Sequence, residues 1–238
     1  MKNNSKKIIS LTILFILMAS INAHAVVEFD QNITPDTIFG TGNANGQFTT
    51  NRLNGIEVGI RAKLPGNPMI NSNGDGSYSY TLVETATTGN NWNFDFTINV
   101  NYDNSNILFL NGYTYEVGMD ANAGVATDYL SFDPITPGAT TPDHSIGNNM
   151  TANGAGTEAA DAASYLVLLA TNNVLQQSWR YAFFSGIPPL TTYDPLTDGQ
   201  YTVYIEVRNL IGIVLVRTEI QVIIGNGLPV ELINFSVD

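Results

Sequence analysis

No cysteine occurs anywhere in the 238 residues of this chain. That excludes a disulfide framework, thiolate metal ligands and a cysteine nucleophile. Histidine is almost as scarce, with only His24 and His144 present. A histidine-based metal site needs several ligands, and a Ser-His-Asp triad needs its one imidazole at the point where three roles converge. Asp143-His144-Ser145 places the three residue types side by side. Neighbours in sequence rarely converge in that way, so His144 is expected to hydrogen-bond within its own loop. Positive charge is also short, with nine Lys+Arg against 21 Asp+Glu and a formal charge of −12. Binding to nucleic acid or anionic lipid runs on phosphate neutralisation by Lys and Arg, so a nucleic-acid role is excluded. Long apolar runs are missing too. The most apolar stretch, Ile8 to Met18, falls short of the ~20 residues a transmembrane helix needs.

That short run has a different use. Lys2, Lys6 and Lys7 precede it, and Ala23-His24-Ala25 follows it as a small-x-small triplet. A positive start, an apolar middle and a small-residue exit predict a secretory signal over 1–25, cleaved after Ala25. The first 25 residues hold three of the nine basic groups and none of the 21 acidic ones, so the remainder carries a formal charge of −15. The predicted mature chain has no membrane span. Its location is expected to be extracellular or at the cell surface, with the periplasm as the other exported compartment.

What the chain has in quantity is alternation. Ile56, Val58, Ile60, Ala62 and Leu64 alternate with Glu57, Gly59, Arg61 and Lys63. Trp92, Phe94, Phe96, Ile98 and Val100 repeat the pattern, as do Tyr113 to Met119 and Tyr201 to Val207. Period two is the signature of a strand with one buried and one wet face. The β-branched run from Ile213 to Ile224 reads as a more central strand. Asn-Gly and Asp-Gly pairs punctuate these runs, and Leu110-Asn111-Gly112-Tyr113 is the strongest two-residue hairpin candidate. One segment differs: Ala162, Ala163, Leu166, Leu169 and Ala170 fall at helical spacing, and acidic residues precede them. A short helix within Thr157 to Asn172 is predicted, with a strand over Tyr165 to Leu169 as the competitor. Asp133 to Gly156 reads as a surface loop, and no internal repeat is visible. The fold class is all-β: a single antiparallel β-sandwich, Ig-like or jelly-roll-like, over 26–225, with one short helix and a tail over 226–238.

Several landmarks occur in a fixed order. They include Arg61-Ala62-Lys63-Leu64-Pro65, Asp75-Gly76-Ser77-Tyr78-Ser79-Tyr80, Trp92-Asn93-Phe94-Asp95 and Tyr115-Glu116-Val117-Gly118-Met119-Asp120. Further along stand Tyr129 to Pro134, Asp143 to Asn149, Ser178-Trp179, Tyr193-Asp194-Pro195 and Asp198-Gly199-Gln200-Tyr201. Together they resemble the secreted bacterial proteins that carry PEP-CTERM surface-sorting tails. The resemblance implies a surface or extracellular-matrix component made alongside exopolysaccharide, with exopolysaccharide or other envelope components as partners. The chain departs from that pattern at its end, where Leu228-Pro229-Val230-Glu231-Leu232 replaces the family's Val-Pro-Glu-Pro tail. The expectation is release, or a different route to the surface.

Chemistry-bearing patterns are few. Asn71, Asn73 and Asp75, followed by Gly76, resemble the first half of a calcium loop, because a hard cation takes oxygen ligands at alternate positions before a sharp bend. Leu82 stands where a full loop would carry glutamate. The plainer reading is a turn leading into a strand over Tyr78 to Val83. Carboxylates are numerous enough for a glycosidase pair, although most are expected in turns or on wet strand faces. Trp92, Phe94, Phe96, Tyr113 and Tyr115 are expected in the core and not on a sugar-stacking platform. The functional expectation is therefore a noncatalytic surface or matrix protein. A carbohydrate-binding module, calcium-assisted or not, is the first alternative, and a carboxylate-pair glycoside hydrolase is the second.

Overall fold

The computed structural model describes residues 26–66, 70, 72–87, 92–124, 126–135, 143–190 and 197–227. The expected signal segment 1–25, tail residues 228–238, Tyr193-Asp194-Pro195 and Asn71 lie outside them. In chain order the strands are β1 (Val26–Gln31), β2 (Phe48–Leu53), β3 (Ile56–Lys63), β4 (Ser77–Tyr80), β5 (Asn93–Asn99) and β6 (Thr114–Asp120). After them come β7 (Tyr129–Phe132), β8 (Ser145–Gly147), β9 (Val174–Arg180), β10 (Gly199–Arg208) and β11 (Val214–Ile224). Two helices, α1 (Leu82–Thr87) and α2 (Ala162–Thr171), complete the set with short 3-10 turns. Among the described residues no helix is long and apolar enough to cross a membrane.

The strands form an all-β sandwich. One sheet runs β1-β2-β3-β5-β9-β8 and the other β4-β11-β10-β6-β7. Neighbours are antiparallel apart from β4, which lies parallel to the end of β11. The alternating apolar sets meet between the sheets. Val58, Ile60, Phe94, Phe96 and Ile98 face Val117, Met119, Val203, Ile205 and Val222 in one fully buried cluster. Burying each such side chain contributes about 1.5–3 kcal/mol. Trp92, Phe94, Phe96 and Tyr115 are core, and Tyr113 is partly buried against them.

The outer face of the first sheet is not wet. Residues 32–46 run across it as a third layer, and polar side chains of the sheet satisfy that layer's backbone. Glu57 accepts from the Thr34 N–H at 2.7 Å, and Asn99 donates to the Thr34 carbonyl at 2.7 Å. Gln176 accepts from the Ile38 N–H at 2.8 Å and donates to the Asp36 carbonyl at 3.1 Å. Gly59 makes room for the layer, since a Cβ there would stand 3.0 Å from Ile33 Cγ2 and 2.9 Å from Thr97 Cγ2. Beneath it Glu57, Arg61, Asp95, Thr97 and Asn99 are all buried. Carboxylates expected on a wet face therefore sit inside. An irregular segment has no periodicity by which its docking could be foreseen.

Local departures have local causes. The two-residue hairpin falls at Asn54-Gly55, where both residues have positive φ (51° and 78°) and join β2 to β3. Leu110–Gly112 is a 3-10 turn in the crossing from β5 to β6, which belong to different sheets. The strand expected to reach Val83 stops at Tyr80. There Thr81 and Glu84 form a reciprocal capping box, with Thr81 N–H to Glu84 Oε2 at 2.8 Å and Glu84 N–H to Thr81 Oγ1 at 3.2 Å, and α1 begins. The predicted helix starts late, at Ala162, because Thr157 is held in a bridge to Ile146. Asp161 and Ser164 cap it in the same reciprocal way. Within the expected surface loop, Ser145–Gly147 adds to β9 as an edge strand.

Candidate functional site

The turn singled out for calcium is closed on itself. Asp75 Oδ1 accepts from the Ser77 N–H at 3.0 Å and its hydroxyl at 2.6 Å, which holds the carboxyl below its ordinary pKa. Asn73 donates its amide to the Ser77 and Ser79 hydroxyls at 2.8 and 2.9 Å. Asn71 lies outside the described residues. The described part of the motif is thus a bonded turn that opens β4.

The same turn borders a groove of about 550 Å³ between the two sheets' edges. β4 pairs with Gln221 to Ile224, and among the described residues no strand lies beside the earlier part of β11 on that side. Asn51 bridges the corner by donating to the Arg217 carbonyl at 2.6 Å. Val27 and Phe29 form one wall, and Arg217, Glu219 and Gln221 form the other, with Asp75 at one end. Phe29 lies over Gly76, where a Cβ would come within 2.8 Å of its ring, and 41% of Phe29 is exposed.

A second hollow of about 340 Å³ lies on the outer face of the second sheet, lined by Asp120, Tyr129, Thr202, Glu219 and Gln221 among others. Glu219 and Gln221 are common to both hollows, so the two adjoin across β11. Each has one aromatic side chain, Phe29 or Tyr129, beside carboxylate and amide groups. Burial pushes the Asp120 carboxyl above its ordinary pKa, and the N–H groups of Asp128 and Asn122 offset part of that.

Next to this strip the outer face is organised around Tyr204. Its ring lies over Gly118, directly opposite in the β6–β10 register, and a Cβ there would stand 2.0 Å from the ring. The Arg217 guanidinium stacks 3.7 Å from the ring centroid, and Tyr129 meets it edge-on at 5.1 Å. Its hydroxyl donates to Glu116 at 2.5 Å. Gly118→Ala forces the ring off this seat. Overpacking of this kind costs about 1–3 kcal/mol, and the loss will register as a lower midpoint in urea with an unchanged slope.

His144 does not bond within its loop. It is buried, shares a 3.0 Å hydrogen bond through Nδ1 with the Tyr165 hydroxyl of α2, and lies against Phe96 and Trp179. Burial pulls its pKa down to about 4. Other charged groups are committed to pairs: Arg61 and Lys63 to Asp95, Arg52 to Glu57 and Glu28, and Arg208 and Arg217 to Glu206. Glu57 is raised by burial, against the pull of the Thr34 N–H and Arg52.

Sequence reasoning passed over Phe29, Tyr129, Glu219 and Gln221. The alternation of Arg217, Glu219 and Gln221 with Val216, Thr218, Ile220 and Val222 does mark a strand with one polar face. Nothing local to Phe29 shows that β1 brings it to the same groove. In comparison with known proteins, the chain matches no family model and no curated protein.

Proposed function

We propose that the protein is a noncatalytic, exported structural component of the cell surface or extracellular matrix. The observation that supports this most is the use made of its charged groups. Asp95, Glu57, Glu206 and the buried His144 are held in ion pairs or packed contacts that build the sandwich and dock its third layer. The signal-like first 25 residues and the resemblance to PEP-CTERM surface proteins agree with export. Fractionation of the source cells with an antibody to the sandwich tests the reading. The protein is expected in the medium or on protease-accessible surface, and recovery in the cytosol would overturn it.

The adjoining hollows favour a second role, contact with polysaccharide. An aromatic face and planar polar side chains on either side of a shared ridge suit sugar rings and their hydroxyls. The acidic surface favours neutral glycans over polyanions. Phe29→Ala and Tyr129→Ala are each expected to weaken binding about tenfold, the loss of roughly 1.4 kcal/mol. Affinity electrophoresis through neutral polysaccharide gels will show it as faster migration. Migration of the wild type unaffected by any neutral glycan disposes of this role. Calcium assistance at Asp75 is read in the same gels, as retardation that strengthens with calcium and weakens with chelator.

A further inference from the structure

One end of the sandwich presents exposed apolar tips. The β10–β11 hairpin turns there through residues 209–213, closed by Asn209 N–H to the Ile213 carbonyl at 3.0 Å and Gly212 N–H to the Asn209 carbonyl at 2.9 Å. Hairpin tips are ordinarily polar, yet this one carries Leu210, Ile211 and Ile213, with Ile211 81% exposed. The crossing from β5 to β6 lies at the same end. Thr114 pairs with Arg208 and its hydroxyl donates to the Asn209 carbonyl at 3.3 Å. Just before it, Ile107, Leu108 and Phe109 are exposed, Ile107 to 90%. Both segments are firmly built. Leu110 is buried and donates its N–H to the Asn172 carbonyl at 3.0 Å, and Asn106 Oδ1 accepts from the Ile107 N–H at 2.8 Å. The apolar tips are thus presented on a rigid frame.

We infer that this end is the interface through which two copies of the chain associate, tip to tip, as a two-fold dimer. The size fits. Six large apolar side chains, each 45–90% exposed, reach the scale of the ~300–600 Å² patch that is the largest, and often functional, one on a monomer. Two such faces pressed together make an interface at the small end of the specific range, below about 1,200 Å² in total. Met150, on the neighbouring loop that Asn149 ties to the Asn101 carbonyl at 2.7 Å, adds to it.

Charge selects the occupant. Residues 104–115 and 209–216 contain no Asp, Glu, Lys or Arg, in a chain whose formal charge is −12. Two acidic copies can therefore bring these tips together with no carboxylate on the tips themselves, the exposed Asp103 standing just before them in the same crossing. A lipid surface fits less well. Apolar loops that enter membranes are accompanied by Lys and Arg for the headgroups and by Trp or Tyr at the interface. These tips carry aliphatic residues and one Phe, with Arg208 as the nearest cation in sequence. Because the patch is used up in one self-complementary contact, assembly closes at two. The inference rests on this end alone and not on the export or glycan readings.

The test uses the mature chain in light scattering and sedimentation. Dimers are expected at micromolar concentration, within the affinity range of interfaces this size. Ile107→Asp with Ile211→Asp should raise the dissociation constant at least 100-fold, with no fall in Tm at concentrations where both proteins are monomeric, because both side chains are exposed in the monomer. The absence of cysteine gives a second readout that does not depend on affinity. Ile211→Cys, near the two-fold axis, should form disulfide dimers under mild oxidation at least tenfold faster than Val83→Cys on α1 at the opposite end. A wild type that remains monomeric at 100 µM (a concentration well above that range) overturns the proposal, as do dimers that survive the double aspartate variant. Monomers that float with phosphatidylcholine vesicles, and fail to with Ile211→Asp, would assign the surface to lipid instead.

Discussion

Asp95→Ala is expected to remove about 3–5 kcal/mol of stability, lowering Tm by roughly 6–20 °C for a domain of this size. Asp95 is fully buried, and its Oδ2 accepts from Arg61 Nε at 2.9 Å and Lys63 Nζ at 3.0 Å. Arg61 is buried as well, with its guanidinium 4.2 Å from the Phe48 ring centroid. Removing the carboxylate strands a guanidinium where water cannot reach it, and that uncompensated charge dominates the loss. Lys63 is closer to solvent and can turn outward. Replacing both members of the buried pair, as Arg61→Met with Asp95→Leu, should be less destabilising than either single change, because no charge is left behind. Arg61 also donates to the Ala44 and Gly46 carbonyls at 2.9 and 2.7 Å. Arg61→Ala should therefore also speed hydrogen exchange across residues 33–46. Chemical denaturation of the four proteins decides the matter. A single-variant loss under about 1 kcal/mol would show that the pair is solvated.

The second large effect is on pH. His144 has a folded pKa of about 4 against an ordinary 6.5. Above 6.5 the imidazole is neutral folded or unfolded, and its contribution is fully present. As pH falls from 6.5 toward 4 the unfolded chain takes up a proton that the folded one refuses, so stability is lost across that window. Below 4 both states are protonated and the loss levels off. Two and a half pKa units correspond to about 3 kcal/mol. The physical cause is a ring packed among Phe96, Trp179 and Tyr165, with no hydrogen-bond acceptor at Nε2 among the described residues. Glu57 works in the opposite sense, because a carboxyl raised by burial favours the folded state as pH falls toward 4.5. The comparison that isolates His144 is therefore wild type against His144→Asn, in which the amide keeps a group near Nδ1 and cannot titrate. Between pH 7 and 4 the wild type should lose about 3 kcal/mol more than the variant. Parallel stability curves would mean that the ring reaches water.

The sequence carried the inner faces of the sandwich well and its outer faces poorly. Every alternating apolar set named from it lies between the sheets, because period two states which side chains share a face. The same pattern leaves open what the other face meets. Arg61, Asp95 and Asn99 look like solvent-facing residues until residues 32–46 are laid across them. Thr81-x-x-Glu84 has the spacing of a capping box, a signal that the strand reading from Tyr78 to Val83 does not use. His144 was hidden because its partner, Tyr165, belongs to a helix twenty-one positions away. The calcium motif offers Asn71, Asn73 and Asp75 at alternate positions, and the described structure shows Asn73 and Asp75 bonded to the turn's own serines. The groove beside them needed long-range pairing, because β1 and β11 are brought together by β2 and by the corner bond from Asn51.

The third layer also sets an order of events in time. Residues 32–46 precede nearly every strand they rest on, so synthesis from the N-terminus delivers them early. Some of their seats are near, with Arg61 17 positions after Ala44 and Glu57 23 after Thr34, and others are late: Asn99 stands 65 positions after Thr34, and Gln176 stands 138 positions after Ile38. Contacts that close such long loops form slowly. The Thr34–Ile38 stretch is therefore the last part of the layer to be fixed, because its bonds to Asn99 and Gln176 wait for β5 and β9.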